Sequence, residues 1–509
     1  MRKWKVLVAV IAVACVVPTT FAQTQEDVLQ ELKNLKDRVS SLETENAELR
    51  GSVTTQNDSE LELQINALTD RLVAGTTVKS AANPVTLTGE FRFRNSWSFG
   101  DRFAGANAGN DDEHDGSWND ALLRLGFQYE FTRDVTAFAE LQSRWAFGNG
   151  VSTSGNLAAE NGTTTPVRMH QAWLEIRNIF GRAEFSSRTG RQEIVLGNQF
   201  QFGNADWFSG WSFDGTRWDW DSENFSLTGI VAKLRSADGD FNQFSSFATP
   251  HDDDELYSVY FTLKTIKNHE LDLYWIYVNG HGGAADFGSG ISVGSLPTLV
   301  GSNAGGQTSY YHTLGARIGG VFPDIAAGLD WNVEGAYQLG DQNAAGAGEL
   351  DIDAFAIEAE IGITFNKDSM FRVYIRFLWA EGPENNELGY RPLYPNRHSN
   401  SGFRARYGQF DLIPMTNVLT IQGGLHFDPA ENWTLGATFL YAEQDNNTVA
   451  TNDEELGIEV DIWAEYRYSE HLVFNVGVAL LFPEDAGEAL WLVDEDLQFL
   501  GYIQARLLF

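Results

Sequence analysis

The chain ends in Phe499-Leu500-Gly501-Tyr502-Ile503-Gln504-Ala505-Arg506-Leu507-Leu508-Phe509, and this stretch governs how the rest is read. Phe499, Gly501, Ile503, Ala505, Leu507 and Phe509 fall on one face of an extended strand, with Gln504 and Arg506 on the other. One such alternation suits any half-buried strand. Here the same period of two runs back through about four hundred residues. Leu87, Gly89, Phe91, Phe93 and Trp97 alternate with Thr88, Glu90, Arg92, Arg94 and Ser96. Ala121 to Phe131 and Val135 to Trp145 repeat the pattern on either side of Thr132-Arg133-Asp134. It returns in Phe355–Phe365, Phe371–Trp379, Leu419–Phe427, Trp433–Tyr441, Ile458–Tyr468 and Leu472–Phe482.

The connections alternate in length. Short polar turns are expected at Thr132–Asp134, Asn178–Arg182, Asp221–Asn224, Thr265–His269, Gly320–Asp324, Asn366–Ser369, Asp428–Glu431 and Ser469–His471. Between them lie long Gly/Asp/Asn segments near 100–118, 148–165, 196–211, 235–253, 280–307, 340–350, 381–416, 443–455 and 483–496. Eight turns interleaved with nine loops predict about 18 strands. The fold class is therefore all-β, a transmembrane antiparallel barrel with short turns on the periplasmic side. A soluble sandwich would alternate similarly, but its loops would not fall into short-long order over so many hairpins. Around 182–220 the alternation slips, and a bulge is expected there. The last strand, with its aromatic terminal residue, resembles the closing strand of bacterial outer-membrane barrels.

Composition agrees. Only 43% of residues are hydrophobic, yet aromatics reach 13%; a membrane barrel needs apolar residues only on alternate positions. Arg2, Lys3 and Lys5 precede an apolar run from Val6 to Val17, and Thr20-Phe21-Ala22 offers small residues at a cleavage site. Residues 1–22 read as a signal peptide, removed before Gln23. The run is too short to span a bilayer, which needs about 20 residues. A lipoprotein reading through Ala12-Val13-Ala14-Cys15 is the alternative. Cys15 is the only cysteine, so the mature chain has no disulfide, thiolate metal site or cysteine nucleophile. The formal charge of −35 becomes −35 − 3 = −38 once the three signal cations are lost. Nucleic acid is thereby a poor partner.

Residues 23–72 are of another kind. Val28, Leu32, Leu35, Val39, Leu42, Asn46 and Leu49 keep the 4-3 spacing of a coiled-coil seam. Glu31 with Lys36, Arg38 with Glu43 and Glu45 with Arg50 carry opposite charges at g and e′ of a parallel pairing, and Asn46 is a polar a position. A parallel homo-oligomer is expected, against the alternative of one amphipathic helix packed on its own domain. Gly51 breaks the helix, Ser59 and Glu62 cap a second short coil, and 73–84 is a small-residue linker to a barrel over 85–509. The stalk should lie in the periplasm, with the barrel in the cell outer membrane among lipid and lipopolysaccharide. Trimer is favoured only by analogy with general porins.

The stretch 122–220 resembles the alginate-export family of outer-membrane porins. The matching pieces are Leu141-Gln142-Ser143-Arg144-Trp145 with Gly148, Gln171-Ala172-Trp173-Leu174-Glu175, and Gly190-Arg191-Gln192-Glu193 with Gly197. They continue in Gly203-Asn204-Ala205-Asp206-Trp207 and Phe213-Asp214-Gly215-Thr216-Arg217. The resemblance implies a single-chain barrel with a charged lumen that passes anionic polysaccharide or smaller solutes; the coiled coil lies outside it.

If the apolar faces meet lipid, Arg92, Arg94, Arg124, Arg144, Arg372, Arg376, Arg467 and Arg506 face the lumen, as do Glu90, Glu130, Glu140, Glu334, Glu358, Glu360, Glu459, Asp461 and Glu465. Two readings stand. The guanidiniums form a ladder for carboxylated or sulfated sugars, or they pair with neighbouring acids and merely pack the wall. The 381–416 loop holds Tyr390, Arg391, Tyr394, Arg397, Arg404, Arg406 and Tyr407. It is read as an inward constriction, or else as a mobile exterior loop. The acidic runs Asp111–Glu113, Asp252–Glu255 and Asp453–Glu455 lack calcium-loop spacing. No metal or cofactor is expected. With no HExxH, nucleophile elbow or phosphate loop, the chain is not expected to be an enzyme. The sequence thus describes a porin for small hydrophilic or anionic saccharides. An outer-membrane tether to the cell wall and, further off, a barrel lipid hydrolase are the alternatives.

Overall fold

The computed structural model describes residues 85–99, 116–148, 167–204, 210–235, 254–280, 308–344, 348–366, 368–384, 387–396, 406–413, 415–448, 453–491 and 497–509. All belong to the compact unit Asn83–Phe509. The signal, stalk and linker lie outside the described residues. So do Asp206, Trp207, Arg397, Arg404 and the Asp111–Glu113 run.

The strands are Thr86–Phe99 (β1), Gly116–Thr132 (β2), Val135–Gly148 (β3), Arg168–Ile176 (β4), Phe185–Gln192 (β5), Phe213–Asp221 (β6), Phe225–Arg235 (β7), Asp254–Leu263 (β8) and His269–Gly280 (β9). They continue as Thr308–Phe322 (β10), Gly328–Ala344 (β11), Gly348–Asn366 (β12), Phe371–Ala380 (β13), Glu387–Leu388 (β14), Val418–Ala430 (β15), Trp433–Glu443 (β16), Glu455–Arg467 (β17), Leu472–Pro483 (β18) and Gln498–Leu508 (β19). Every strand except β14 pairs antiparallel with its neighbour, and β19 returns to β1, with Phe91 opposite Leu507 and Trp97 opposite Gly501. The wall is a closed antiparallel barrel of 18 strands; the two-residue β14 lies parallel to β12. Closure leaves no unpaired edge, the condition for strands to cross hydrocarbon.

The polarity is that of a soluble protein turned inside out. Leu87, Ile462 and Ile503 are exposed, at 53%, 53% and 52%, while Arg92, Glu358 and Gln338 are buried at 3%, 2% and 0%. Lipid takes the place of a core on the outer face.

All eight predicted turns lie at junctions between consecutive strands, although Gly320–Phe322 and Asp428–Ala430 still belong to β10 and β15. Among the loops, 340–350 departs from expectation: β11 runs to Ala344 and β12 begins at Gly348. The Gly and Asp content suggested a loop, but these residues stay paired, Asp341 opposite Asp351 and Asn343 opposite Glu349.

Gly190 on β5 holds φ +125, and a Cβ there would collide with the backbone of Ala172 and Trp173 on β4. Gly190→Val should therefore cost more than the roughly 1–3 kcal/mol of backbone strain alone. The expected result is loss of the heat-modifiable folded band on a semi-native gel.

Candidate functional site: the lumen wall and its inward loops

The described parts of two connections at the outer end of the wall fold into the lumen. The first, 193–212, joins β5 to β6. Leu196 and Phe202 close it on itself, the Phe202 carbonyl accepting from the Leu196 amide at 3.2 Å. Ile194, Phe200, Gln201 and Phe202 are all buried at 2% exposure or less.

The second, 381–417, joins β13 to β15. Pro392 and Pro395 have no N–H and fix φ, so Arg391–Asn396 is extended without becoming a regular strand. Two of its amides find the first loop: Tyr394 N donates to Gln201 O at 2.9 Å and Asn396 N to Gln199 O at 3.0 Å. Gly203 N returns a bond to Tyr394 O at 2.7 Å. The reading of 381–416 as a mobile exterior loop is therefore corrected for its described part, because the wall supplies partners that an exterior loop would lack.

Those partners are lumen-facing polar side chains. Gln338 of β11 accepts from Arg391 N and donates to Arg391 O, both at 2.8 Å. The Arg391 guanidinium donates to Ser309 Oγ at 3.2 Å and to Gln342. Glu358 of β12 is the main junction. Its carboxylate accepts from Asn198 of the first loop at 3.0 Å and from Arg406 and Tyr407 of the second. Arg406 also donates to Asn198 O at 2.7 Å, and Arg376 of the wall donates to Arg406 O at 3.0 Å. Phe410 N donates to Glu459 of β17 at 3.0 Å. Gly408, at φ +87, lets the chain pass so close to Glu459 that a side chain would strike the carboxylate.

Tyr390 stacks on Phe200 with ring centroids 6.3 Å apart, and Gln201 donates to its hydroxyl at 2.8 Å. Burial raises the Tyr390 phenol above its ordinary pKa, so it stays protonated. A helix, Asp485–Trp491 (α1), adds Leu490 and Trp491 to the same apolar cluster as Phe200, Tyr390, Tyr407 and Ile413. That cluster is seated on small and apolar wall residues, among them Ala354, Ala356, Leu378, Ala380, Leu440 and Ala442.

The sequence-predicted arginines divide into three settings. Arg92, Arg124 and Arg506 converge on Glu90, at 3.0, 3.8 and 2.8 Å. Beside them Arg94 meets Gln504 at 3.1 Å and Asp120 at 4.0 Å, and Arg144 is buried on β3. Arg372 and Arg376 instead straddle Glu360, with Arg372 also on Asp330 at 2.8 Å by its Nε. Arg467 sits near the short-turn end, half exposed against Glu465. Glu140 lies 3.8 Å from His170, which binds Glu193 at 2.9 Å.

The family-motif pieces Gly190–Gln192 and Phe213–Arg217 lie side by side on β5 and β6, with Gly190 opposite Gly215, Arg191 opposite Asp214 and Arg188 opposite Arg217. Gln192 turns inward and donates to three backbone carbonyls; Arg217 grips Asp219. Sequence reasoning placed a long loop near 196–211 but missed its inward fold and the contacts of Asn198 and Gln201. One signal was present: at the outer ends of β12, β13 and β16, residues of both parities are apolar or small, as in Phe355-Ala356-Ile357 and Leu378-Trp379-Ala380. A wall apolar on both faces needs something apolar inside.

Residues 83–490 match the family described as Alginate export. No curated protein sequence matches the chain. Among solved structures, OccK8 (OprE) of Pseudomonas aeruginosa superposes with a TM-score of 0.51 at 13% identity, covering 83% of this chain and 98% of that one. OccAB1 of Acinetobacter baumannii gives 0.51 at 11% identity, covering 83% and 97%. OccK11 (OpdR) of Pseudomonas aeruginosa gives 0.50 at 12%, covering 83% and 96%. At such identities the likeness is one of fold. With the family match and the inside-out wall, the chain is an outer-membrane barrel of the porin kind, a channel protein and not an enzyme.

Proposed function

This chain belongs to the alginate export family, and on that premise we propose that it passes small hydrophilic or anionic saccharides passively across the outer membrane. The observation that carries the reading is the convergence of Arg92, Arg124 and Arg506 on the single carboxylate of Glu90, with Arg94 and Arg144 alongside. Guanidinium forks match carboxylate and sulfate geometry. The pair on β13, where Arg372 and Arg376 share Glu360 and Arg372 also meets Asp330, acts as packing. Tyr390, Arg391 and Arg406 of the second loop form the constriction that limits solute size.

Residues 1–22 act as the signal peptide, 23–72 as a periplasmic stalk and 73–84 as its linker. The stalk holds the barrels as a homo-oligomer, a trimer by analogy.

Planar-bilayer reversal potentials test the ladder. A guanidinium about 10 Å from an ion's path contributes about 0.4 kcal/mol even in water. Replacing Arg92, Arg94 and Arg124 with serine should shift the anion-to-cation permeability ratio several-fold toward cations. Strong cation preference in the unaltered protein would sink the ladder.

A further inference from the structure

On β13, β15, β18 and β19 the outward face is apolar throughout. β12 presents Phe355, Ile357, Ala359, Ile361, Ile363 and Phe365 in register with apolar neighbours on β13. β5 and β6 do not follow this rule. Beyond Phe185, the outward positions of β5 are Ser187, Thr189 and Arg191, because they lie in register with exposed Ile176 and Leu174 and with Ala172 on β4. Across on β6 they meet Trp218, Thr216 and Asp214.

Arg191 and Asp214 form a two-pronged ion pair, Nε to Oδ1 at 2.8 Å and Nη2 to Oδ2 at 2.5 Å. Thr189 and Thr216 share a hydrogen bond at 3.1 Å. The ladder carries on to Lys233 of β7, opposite Asp214, and Glu255 of β8, bonded to Lys233 at 2.8 Å.

Height places this patch within the membrane. Phe180, Phe185 and Trp220 make an aromatic group at the short-turn end, with centroids 6.4 and 6.1 Å apart, as expected of a periplasmic girdle. Arg191 is six residues further along, about 20 Å of strand at ~3.3 Å per residue, or about 15 Å of height at ~40° tilt. The apolar band of such barrels is about 25 Å tall. Here too the wall is lowest: β4, β5 and β6, with 9, 8 and 9 residues, are the shortest of the 18 wall strands. Polarity and shortness coincide, and hydrocarbon suits neither.

We propose that the outer face of β4–β6 is covered by a second copy of this chain. A protein surface can bond the hydroxyls that lipid cannot, and it needs no hydrocarbon band to match. The ion pairs leave the patch neutral, so an anionic lipopolysaccharide phosphate gains little there. Arg191 and Asp214 can also exchange partners between copies. The proposal rests on the self-association inferred above from the 4-3 repeat of residues 28–49, and it names the barrel surface that self-association uses.

Cysteine cross-linking in outer membranes tests it, since Cys15 is the chain's only cysteine and lies in the expected signal. With a short bifunctional maleimide, Thr189→Cys and Thr216→Cys should give covalent dimers or trimers. Val476→Cys on β18, exposed at 42%, should stay monomeric. The cross-link should persist when residues 23–72 are deleted. Arg191→Leu with Asp214→Leu, both facing away from the lumen, should reduce it at least five-fold with single-channel conductance retained. Equal cross-linking at 189 and 476, linkage that vanishes with the stalk, or monomers at 189 in a protein that sediments as an oligomer would each overturn the wall interface. The last two would leave the stalk standing. A conducting monomer would remove the self-association and leave the channel.

Discussion

Replacing residues 386–413 with a short Gly–Ser linker is expected to raise single-channel conductance several-fold without unfolding the barrel. A wall of 16–18 strands encloses an aqueous channel unless something occupies it. Here the described occupants are the paired segments 193–204, 387–396 and 406–413, with α1 beside them. The wall does not depend on them, because its strands close through their own hydrogen bonds. Removing the second loop strips Tyr390, Tyr407 and Ile413 from the apolar cluster and deprives Gln199 and Gln201 of their main-chain partners. The first loop should then loosen as well, so the gain exceeds the volume deleted. Unchanged conductance with a folded barrel would mean that ions pass elsewhere than through the space these loops occupy.

The second large effect is expected from one side chain. Glu358→Ala removes the carboxylate on which Asn198, Arg406 and Tyr407 all converge. Arg406 is left buried without its counter-ion, a change that typically costs about 3–5 kcal/mol. If the loop opens in place of tolerating that charge, its open population rises by about 10²–10³, since 1.4 kcal/mol is about a factor of ten. Trypsin cleavage after Arg406 reports this directly, because cleavage follows the open fraction when closing is fast. Glu358→Ala should be cut far faster than the unaltered protein, with flickering conductance. Glu358→Leu paired with Arg406→Leu removes the trypsin site, so its protection is read by chymotrypsin after Tyr407; it should recover much of the protection, as apolar replacement of both partners removes the desolvation cost. Cleavage at the unaltered rate in Glu358→Ala would show that the apolar cluster alone holds the loop.

Both predictions concern the interior, which is where sequence and structure part. The period of two in Phe499–Phe509 and its repeats needs only local backbone geometry to be read, since alternate side chains of a strand must face opposite ways. One solvent being hydrocarbon, that period fixes which side chains face out, and turn chemistry fixes where strands end. Strand number, closure and the inward placement of Arg92, Arg94, Arg124 and Glu358 follow from it. The slip seen around 182–220 has the same origin: with Ser187, Thr189 and Arg191 outward, the alternation persists in the backbone but disappears from hydropathy.

The sequence by itself therefore determined the wall, the two faces of each strand and the order of turns and loops. Only the tertiary structure decided what the loops do and which charges meet. Tyr394 finds Gln201 and Arg406 finds Glu358 across 193 and 48 residues of chain, through the curvature of a closed sheet that no local pattern encodes. Likewise, nothing local tells that Arg92, Arg124 and Arg506 share Glu90 while Arg372 and Arg376 share Glu360. Residue parity sets the face of the wall on which a charge lies. Its partners depend on register between strands and on which loops return to the lumen, and those are settled only when the barrel closes.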